Sequence, residues 1–398
     1  MVSRFALLGL TALVFSTLSS ANPSATTKTS QQSNLIPSIE TEIFDLRAQE
    51  IMSKLEIAGL AMAIVEDGKI TFAKGYGETT SGSGDLVSAD TVFRWASVSK
   101  GVAAHVLVDM ARKGKLKLDT PASDLAPTLK LPPSDTKVDI THLLSHQIGI
   151  VRNAYDDKIE GGMGAKEIRF MLEGLPYQCA PTTCHTYQNV AYDAASEIVQ
   201  TLTGLPYKSV VQTEVFDRFG MSTASVSYEG LLQSKSWAKP HGRKRELIDS
   251  VKPTYYRVPA AAGVNSSIKD LARWMVAQME DEFPGAVSES EKRQAALQTP
   301  LIRTRREQRY INRRFGQMTN AHYGMGFRVY NYKGHKVVGH RGGVEGYRSL
   351  ILLDPEKRSG IAVMWNSPHY QPTGLQFEFM DQLYGLPKQD WLKLDEES

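Results

Sequence analysis

The sequence is poor in the features that mark several large protein classes. It has only two cysteines among 398 residues, and two thiols without a second pair of ligands nearby do not make a metal site. Its formal net charge is +3, which is too small to indicate nucleic acid or another polyanion as a partner. No internal repeat is evident, and 41% hydrophobic with 22% charged residues is ordinary for a globular chain. We therefore expect a globular protein that uses no metal or other cofactor.

The apolar run near the N-terminus is too short to span a bilayer. It covers residues 5–18, follows the positive charge of Arg4 and precedes small residues at 19–21, which is the pattern of a signal peptide over 1–21. No cysteine lies near the expected cut, so a lipoprotein anchor is unsupported. Residues 22–35 are polar and predict a flexible lead-in. These features predict a secreted protein, periplasmic in a Gram-negative bacterium, with no stable membrane span in the mature chain.

Strand patterns lie near both ends of the chain, and helical patterns lie between them. Two apolar runs joined by Asp67-Gly68 predict a hairpin over 59–77, and strand patterns return over 323–366. Helical periodicity occupies five intervening segments, 97–113, 141–147, 164–174, 190–203 and 266–279. This order predicts an α+β fold, with an antiparallel sheet from both chain ends flanked by helices and an inserted, mostly helical domain.

The boundaries of the expected domain follow from the same pattern. It covers residues 36–390, with the α/β part at about 36–96 and 320–390 and the helical part at about 97–319.

The motif Ser-x-x-Lys occurs four times, so the motif alone is close to chance. Its copies begin at Ser97, Ser134, Ser236 and Ser266. Ser134 and Ser236 lie in polar connections, and the first turn of a helix explains Ser266. Only the first copy opens a helix directly after an apolar, aromatic segment, "TVFRWA".

Ser97 and Lys100 lie one turn apart on the same face of that helix. A lysine in a first turn opposes the helix dipole, whereas a simple cap would favour an acidic residue there. A serine hydroxyl is a weak nucleophile until a base takes its proton, and a lysine with a lowered pKa can act as that base. An ordinary helix N-cap at Ser97 is the structural alternative.

The segment "FRWASVSK" resembles the nucleophile segment of the serine β-lactamase and penicillin-binding-protein superfamily, particularly its class C-like branch. Further matches follow in order over most of residues 40–385: "LDTPASDLAP", "ITHLLSHQIGI", "YQNVAYDAASEIVQTLTG", "AAGVNSSIKDLARWM" and "YGMGF". The resemblance implies a β-lactamase/transpeptidase-like fold and a serine hydrolase that acts through an acyl-enzyme at Ser97.

The second family motif, Tyr-x-Asn, occurs at Tyr187 and again at Tyr310, but only Tyr187 has the family context. By resemblance, Tyr187 helps to deprotonate Ser97 and protonates the leaving group. Asn189 would hydrogen-bond the substrate amide or orient Lys100. A free tyrosine is protonated at neutral pH, so this role requires a nearby cation. A half-buried tyrosine and a helix-capping asparagine are the structural alternative.

The segment before the tyrosine departs from the family. Relatives commonly have a Pro-Gly turn there, whereas this chain has "CAPTTCHTYQN". In an oxidising compartment Cys179 and Cys184 can close a small disulfide loop, and we expect that bridge to position Tyr187.

The third motif is Lys-Thr-Gly in most β-lactamases and His-x-Gly in many related esterases and peptidases. His340 matches by position, whereas His322 is interpreted as structural. The resemblance implies that His340 stabilises the transition state or the leaving group, and that the backbone N–H groups of Ser97 and Gly343 bind the oxyanion. We expect Gly342 to leave room for a substrate along this edge.

His340 stands where most β-lactamases have lysine, and histidine holds an anion more weakly than lysine does. This predicts less efficient β-lactam hydrolysis, unless Arg341 restores the charge. Asn153 matches a family amide-binding position. Candidate substrates are β-lactams, D-amino-acid peptides and small esters. The alternative function is a non-hydrolytic module that binds penicillin or a peptidoglycan peptide.

Two further patterns are interpreted as structural. His142 and His146 have the i, i+4 spacing of a metal pair, but Leu143 stands where a zincin needs glutamate. The arginine-rich segment 301–315 is expected to be a solvated face rather than a nucleic-acid site. Oligomeric state is left open.

Overall fold

An antiparallel sheet of eight strands forms the centre of the computed structural model, which describes residues 39–279 and 293–394. The strands are β1 (Gly59–Glu66), β2 (Lys69–Gly77), β3 (Val92–Arg94), β4 (Asn265–Ser267), β5 (Ile302–Arg303), β6 (Met318–Tyr323), β7 (Arg328–Tyr332), β8 (His335–Val344), β9 (Tyr347–Asp354) and β10 (Ser359–Trp365). The order in the large sheet is β2-β1-β10-β9-β8-β7-β6-β5, and β3 pairs with β4 separately. The expected signal peptide 1–21 and most of the lead-in lie outside the described residues.

The helices of the described residues lie on both faces of the sheet and between β3 and β4. They are α1 (Thr41–Lys54), α2 (Ser99–Arg112), α3 (Ala122–Leu125), α4 (Ile140–Leu144), α5 (Asp156–Glu160), α6 (Ala165–Met171), α7 (Ala194–Thr203), α8 (Tyr207–Val211), α9 (Tyr228–Leu232), α10 (Pro259–Ala262), α11 (Ile268–Ala277), α12 (Arg293–Gln298), α13 (Arg305–Arg314) and α14 (Leu375–Leu383).

The two ends of the chain meet inside the sheet. Asp67 and Gly68 both have positive φ, +47° and +72°, as a two-residue hairpin turn requires, and they join β1 to β2. On its other side β1 pairs with β10, so that Leu60 lies opposite Trp365. The order of elements therefore predicted the α+β architecture correctly.

Side chains that alternate along the strands pack into two separate hydrophobic cores, one on each face of the sheet. In β1, Ala61 and Ala63 face a core that includes α2 and α11, whereas Leu60 and Met62 face a core that includes α1 and α14. Successive side chains of a strand point to opposite faces, so a strand covered on both faces is apolar throughout. Burial of each such leucine or methionine contributes about 1.5–3 kcal/mol.

Helix α2 runs through the first core and is buried from Ser99 to Met110. Small residues make this possible. A Cβ atom added at Gly101 would lie only 2.9 Å from the ring of Phe327. Helix α2 can therefore carry polar side chains such as Lys100 into the interior, close to the end of β8.

All five predicted helices are shorter than expected, and three of them show where the patterns overran. The helix expected over 190–203 begins at Ala194, and the one expected over 141–147 ends at Leu144. The helix expected over 266–279 covers Ile268–Ala277, and the Ser267 side chain accepts its capping hydrogen bond from the Asp270 N–H. None of the helices within 39–279 and 293–394 combines the length and hydropathy needed to cross a membrane.

Candidate active site

Ser97 lies in a tight turn between β3 and α2. The turn is the 3-10 segment Ala96–Val98. Ala96 has a φ of +48°, a left-handed conformation that costs about 1 kcal/mol or more in a residue other than glycine. Ser97 is half-buried, whereas every other residue from Thr91 to Lys100 is buried. The turn therefore presents Ser97 toward solvent from an otherwise closed segment.

Lys100 lies one turn after Ser97 and is fully buried. The N-cap of α2 is Val98, so Ser97 does not cap the helix. The Nζ atom of Lys100 donates hydrogen bonds to Oδ1 of Asn189 at 2.7 Å and to the carbonyl oxygen of Ala261 at 3.1 Å. These bonds offset part of the cost of burying a charge. An ammonium has three N–H donors, so one remains for a group at the reaction centre.

The side chain of Asn189 also contacts a carboxylate, that of Asp156. The Nδ2 atom of Asn189 donates to Oδ2 of Asp156 at 2.7 Å, while its Oδ1 accepts from Lys100. Burial raises the pKa of Asp156 to about 6, although the Asn189 hydrogen bond and the Lys100 charge act in the opposite direction. The geometry favours one of the two roles expected for Asn189, which is to orient Lys100.

Tyr187 lies among cations. The Nζ atom of Lys100 is 4.7 Å from the centroid of its ring, and the guanidinium carbons of Arg152 and Arg328 are each 6.0 Å from it. The ring of His146 packs on the phenol with 4.3 Å between centroids. Three positive charges therefore stabilise any negative charge that develops beside this ring.

His142 and His146 do not form a pair. Helix α4 ends at Leu144, and His146 has a φ of +60°, so the two side chains do not share a helical face. The Nδ1 atom of His146 accepts a hydrogen bond from the Gln188 N–H at 3.2 Å. Among the residues that the structure describes, no group of His, Cys, Asp and Glu side chains has the arrangement of a metal site.

His340 has both ring nitrogens occupied. Nδ1 lies 2.8 Å from the carbonyl oxygen of Arg341, and Nε2 lies 2.9 Å from the hydroxyl of Tyr323. Because a carbonyl oxygen only accepts, Nδ1 carries the proton and Nε2 accepts from Tyr323. Burial, followed by the charges of Arg328 and Lys100, holds the pKa of His340 well below its usual range. A direct bond from His340 to a substrate would require one of its two contacts to break.

Strand β8 separates from β7 next to the nucleophile. The last pair between them joins Gly339 to Arg328, while β8 stays paired with β9 as far as Val344. Residues 340–344 therefore have one edge that no strand of the large sheet covers. This edge, with Gly343 exposed on it, is where the resemblance places the oxyanion donors.

Gly342 is required for close packing against the Ser97 turn. A Cβ atom at this position would lie 2.1 Å from the carbonyl oxygen of Trp95 and 2.3 Å from Oγ of Ser349. A Cβ atom at Gly343 would meet the Arg348 side chain at an ordinary 3.4 Å. The lack of a side chain at Gly342 thus allows the Ser97 turn to pack closely against β8. That it also leaves space for a substrate stays a prediction.

Arg341 binds a buried glutamate. Its guanidinium forms an ion pair with Glu307 of α13, and Arg328 binds the other carboxylate oxygen at 2.6 Å. Burial alone would raise the pKa of Glu307, but Arg328 and Arg341 lower it to about 2. The charge of Arg341 is therefore shared with Glu307 before any substrate binds.

A disulfide joins Cys179 and Cys184, with 6.3 Å between their Cα atoms. The enclosed loop is held by the hydrogen bond from the Thr182 N–H to the carbonyl oxygen of Gln147. It packs so closely on Gly149 that a Cβ atom there would lie 2.6 Å from the carbonyl oxygen of Cys179. The loop leads directly to Tyr187.

Asn153 is exposed and left-handed, with a φ of +51°. Its backbone N–H donates to the carbonyl oxygen of Tyr187 at 2.8 Å, so the two candidate residues are adjacent. The role of the Asn153 side chain in amide binding stays a prediction.

The competing matches have structural contacts elsewhere. Oγ of Ser266 is buried and accepts from the indole N–H of Trp95. Oγ of Ser236 lies 3.0 Å from the Thr91 hydroxyl, and Oγ of Ser134 accepts from the Thr136 N–H. None of these contacts involves Lys100, Tyr187 or His340.

Two cavities adjoin the site. One of about 690 Å³ is lined by Gly342, Gly343 and Val344, and one of about 760 Å³ is lined by the disulfide, Arg152 and the start of α13. Three residues line both: Tyr310, Arg328 and Arg341.

Five residues of this region were missed or discounted from the sequence: Asp156, His146, Glu307, Tyr323 and Arg328. Each lies in a segment whose local pattern has a structural explanation, and each reaches the site through contacts with distant segments. Two of them lie in segments that resemble the family, His146 in "ITHLLSHQIGI" and Tyr323 in "YGMGF".

The chain belongs to the Beta-lactamase family, whose model matches residues 44–383. It is 26% identical over 376 residues to the unguisins hydrolase of Aspergillus violaceofuscus, covering 87% of this chain and 65% of that protein. It is 25% identical over 319 residues to the D-aminopeptidase of Gluconobacter oxydans, covering 77% and 55%. It is 23% identical to the D-alanyl-D-alanine-carboxypeptidase/endopeptidase AmpH of Escherichia coli, covering 66% and 68%.

A solved structure has the same fold. The octameric penicillin-binding protein homologue from Pyrococcus abyssi superposes with a TM-score of 0.76 at 24% identity, covering 87% of this chain and 78% of that one. The expected superfamily and fold are therefore confirmed. The chain spans slightly under two thirds of the first Aspergillus relatives and just over half of the D-aminopeptidase.

Proposed function

We propose that this protein is a serine hydrolase that acts through an acyl-enzyme at Ser97 on an amide or ester carbonyl. The observation that carries the proposal is the combination at the start of α2. A half-buried serine in a strained turn is followed, one turn later, by a fully buried lysine bound to Asn189 and packed on Tyr187. The hydrolases and peptidases among the relatives favour this function over a non-hydrolytic binding module.

In the proposed mechanism, Oγ of Ser97 attacks the carbonyl carbon, and its proton passes to the oxygen of Tyr187, which acts as a phenolate beside the ammonium of Lys100. The backbone N–H groups of Ser97 and Gly343 hold the oxyanion. Tyr187 then returns the proton to the leaving amine or alcohol as the carbonyl re-forms, and water releases the acyl group by the same steps.

His340 acts in this scheme as a positioning residue. Its neutral ring accepts from Tyr323 and donates to the Arg341 carbonyl, which fixes the strand carrying Gly343. The names of the D-aminopeptidase and the carboxypeptidase favour D-amino-acid peptides as the substrate class over β-lactams, for which a lysine is usual at this position.

The test uses the full chain and its Ser97→Ala variant, with Ser266→Ala as the matched control. Each is incubated with labelled penicillin and with a serine-reactive phosphonate, and the adduct is located by peptide mass. Hydrolysis of p-nitrophenyl acetate and of D-alanyl-D-alanine is followed in parallel. We expect an adduct on Ser97 only. Turnover in Ser97→Ala should be lower than in the wild-type protein by a factor of at least about 10³. An adduct on Ser266, or undiminished turnover in Ser97→Ala, would contradict the mechanism.

We also propose that the protein is exported, with residues 1–21 removed. The apolar run of 14 residues and the disulfide support this proposal. The N-terminal residue of the exported product is expected to be Asn22, and its thiols to resist labelling unless first reduced. Retention of Met1 in the exported fraction, or labelling of both native cysteines, would contradict it.

A further inference from the structure

The cavity beside the disulfide has an unusual concentration of positive charge, which we call the arginine cavity. Its lining contains seven arginines and only one carboxylate, that of Glu307. The net charge of the whole chain is only +3, so this concentration is local. Such a surface attracts anions, and its field falls off over about 10 Å at ordinary salt.

The single carboxylate of the arginine cavity is already bound by two arginines and a tyrosine. One oxygen of Glu307 binds Arg328, and the other binds Arg341 and accepts from the Tyr330 hydroxyl at 2.9 Å. The other lining arginines are therefore not neutralised by it. In the described residues, the side chains of Arg303, Arg305, Arg306 and Arg309 form no ion pair.

Two arginines present donors that are buried and unsatisfied. The Nε groups of Arg152 and Arg328 are inaccessible to solvent and lack a hydrogen-bond partner among the described residues. An unsatisfied buried donor is costly, and at a charged group the cost is larger. Burial, together with the charges of Arg306 and Arg328, also lowers the pKa of Arg152. Positive groups are therefore crowded here, and Glu307 is the one carboxylate in the lining.

The arginine cavity shares two side chains with the surroundings of Tyr187. Arg152 and Arg328 line it and also flank the ring of Tyr187. In the proposed function Tyr187 protonates the leaving group, so the leaving group lies beside this ring. A part of the leaving group that extends past Tyr187 toward Arg152 and Arg328 would therefore approach the arginine cavity.

We propose that the arginine cavity is a subsite for a leaving group that carries at least two carboxylates, so that the preferred substrates are acidic peptides. The proposal rests on the proposed acyl transfer at Ser97. Arg306 and Arg309 supply exposed guanidinium groups from α13, and Arg152 supplies a half-buried one from the opposite wall. A planar guanidinium matches a carboxylate in two parallel hydrogen bonds.

The first measurement compares D-alanyl-D-glutamate with D-alanyl-D-glutamine, whose leaving parts differ by one carboxylate. We expect kcat/KM to be about tenfold higher for the D-glutamate substrate, which is the effect of one charge-assisted contact. The effect should appear as a lower KM for that substrate rather than as a higher kcat. Raising salt from about 0.05 to about 0.5 M should remove most of this preference, because the exposed arginines are screened.

The variants are Arg306→Gln and Arg309→Gln, with Arg313→Gln as the matched control. Arg313 is on the same helix, is exposed and does not line the cavity. We expect each of the first two to reduce the preference for D-glutamate about threefold or more, and the control to retain it. Equal reduction by all three variants, or a preference that appears only when the acidic residue is on the acyl side, would overturn the assignment.

A binding measurement separates this inference from the proposed function. The probe is tricarballylate, a tricarboxylate that carries the charged groups expected of the leaving group. It is titrated calorimetrically into the full-length Ser97→Ala protein and into Ser97→Ala/Arg306→Gln. We expect binding that is weakened in the double variant. If tricarballylate does not bind while p-nitrophenyl acetate turnover depends on Ser97, the subsite is wrong and the hydrolase function stands. If turnover does not depend on Ser97, the hydrolase function fails, and the titration still decides whether the cavity binds a tricarboxylate.

Discussion

Asp156 is linked to Lys100 through the side chain of Asn189. It accepts from Asn189, which accepts from Lys100, so a carboxylate with a pKa of about 6 is linked to the buried amine. Above that pH the carboxylate is negative and favours both the amide orientation and the positive form of the amine. Below it, the negative charge is lost.

We expect this linkage to appear in the pH profile. The kcat/KM of the wild-type protein should fall as the pH decreases through about 6, because Asp156 gains a proton there. Asp156→Asn should lack this acid limb and have kcat/KM at neutral pH lowered by about tenfold, the equivalent of one pKa unit. Asp157→Asn is the control, since Asp157 is the exposed neighbour. An unchanged acid limb in Asp156→Asn would assign that limb to another group.

For individual residues, the sequence identified the candidates that interact with a neighbour close in the chain. Ser97 with Lys100, and Tyr187 with Asn189, are recognisable because each pair lies within one turn or one short motif. Asp156 could not be recognised, because its contact with Asn189 joins residues 33 apart and an aspartate at the start of a helix has a sufficient local explanation.

Among the elements, strand β8 determines the geometry of the site. It leaves β7 after Gly339 and passes so close to Trp95 that Gly342 has no space for a side chain. From the sequence, Gly343 was expected to donate to the oxyanion and Gly342 to leave room for a substrate, but the contact of Gly342 with the Ser97 turn was not expected. Gly342 meets backbone of the turn, whereas Gly343 faces the half-buried side chain of Arg348, and only the packing distinguishes these surroundings.

Alanine at these two glycines gives a matched pair. Gly342→Ala should destabilise the protein by about 1–3 kcal/mol or more, because the nearest atom is backbone that cannot move freely. It should also lower ester turnover, since the displaced segment carries Ser97. Gly343→Ala should change the free energy of unfolding by less than about 1 kcal/mol. Urea unfolding and p-nitrophenyl acetate hydrolysis measure both effects. Similar losses of stability in the two variants would show that the contact at Gly342 is not decisive.

Helix boundaries show the same limit of sequence reasoning. Periodicity predicted a helix over 190–203, but Asn189 and the residues after it form turns before Ala194. Those turns hold Asn189 against Lys100. The apolar pattern identified the buried residues correctly, and the tertiary contact decided where the helix begins.

The molecule as a whole has a small net charge, but its charged side chains are unevenly distributed. The arginine-rich segment was expected to be a solvated face, and its arginines at 303, 305, 306 and 309 are indeed exposed. The same helix also inserts Glu307 between Arg328 of β7 and Arg341 of β8. Composition alone cannot show which charges of a segment face solvent and which are buried.

Loss of this buried carboxylate should be costly. Glu307→Gln leaves Arg328 and Arg341 without their counter-ion, and we expect a loss of about 3–5 kcal/mol at neutral pH in urea unfolding. The folded-state pKa of Glu307 is lowered to about 2 from its usual 4.5. Its contribution is therefore complete above about pH 4.5 and is lost as the pH falls toward 2, so the two proteins should converge there. Arg313→Gln, on the same helix, should remain within about 0.5 kcal/mol of wild type throughout. A constant difference across that pH range would assign the loss to packing rather than to charge.

The hydrogen bond from the Ser349 hydroxyl to the carbonyl oxygen of Trp95 joins residues 254 positions apart. The turn that carries Ser97 is therefore supported by a residue that the ribosome adds 254 positions after Trp95. Contacts so distant in sequence form late in folding, because the intervening loop must close first. A nascent chain in which Ser349 has not yet been made would hold Ser97 without this support.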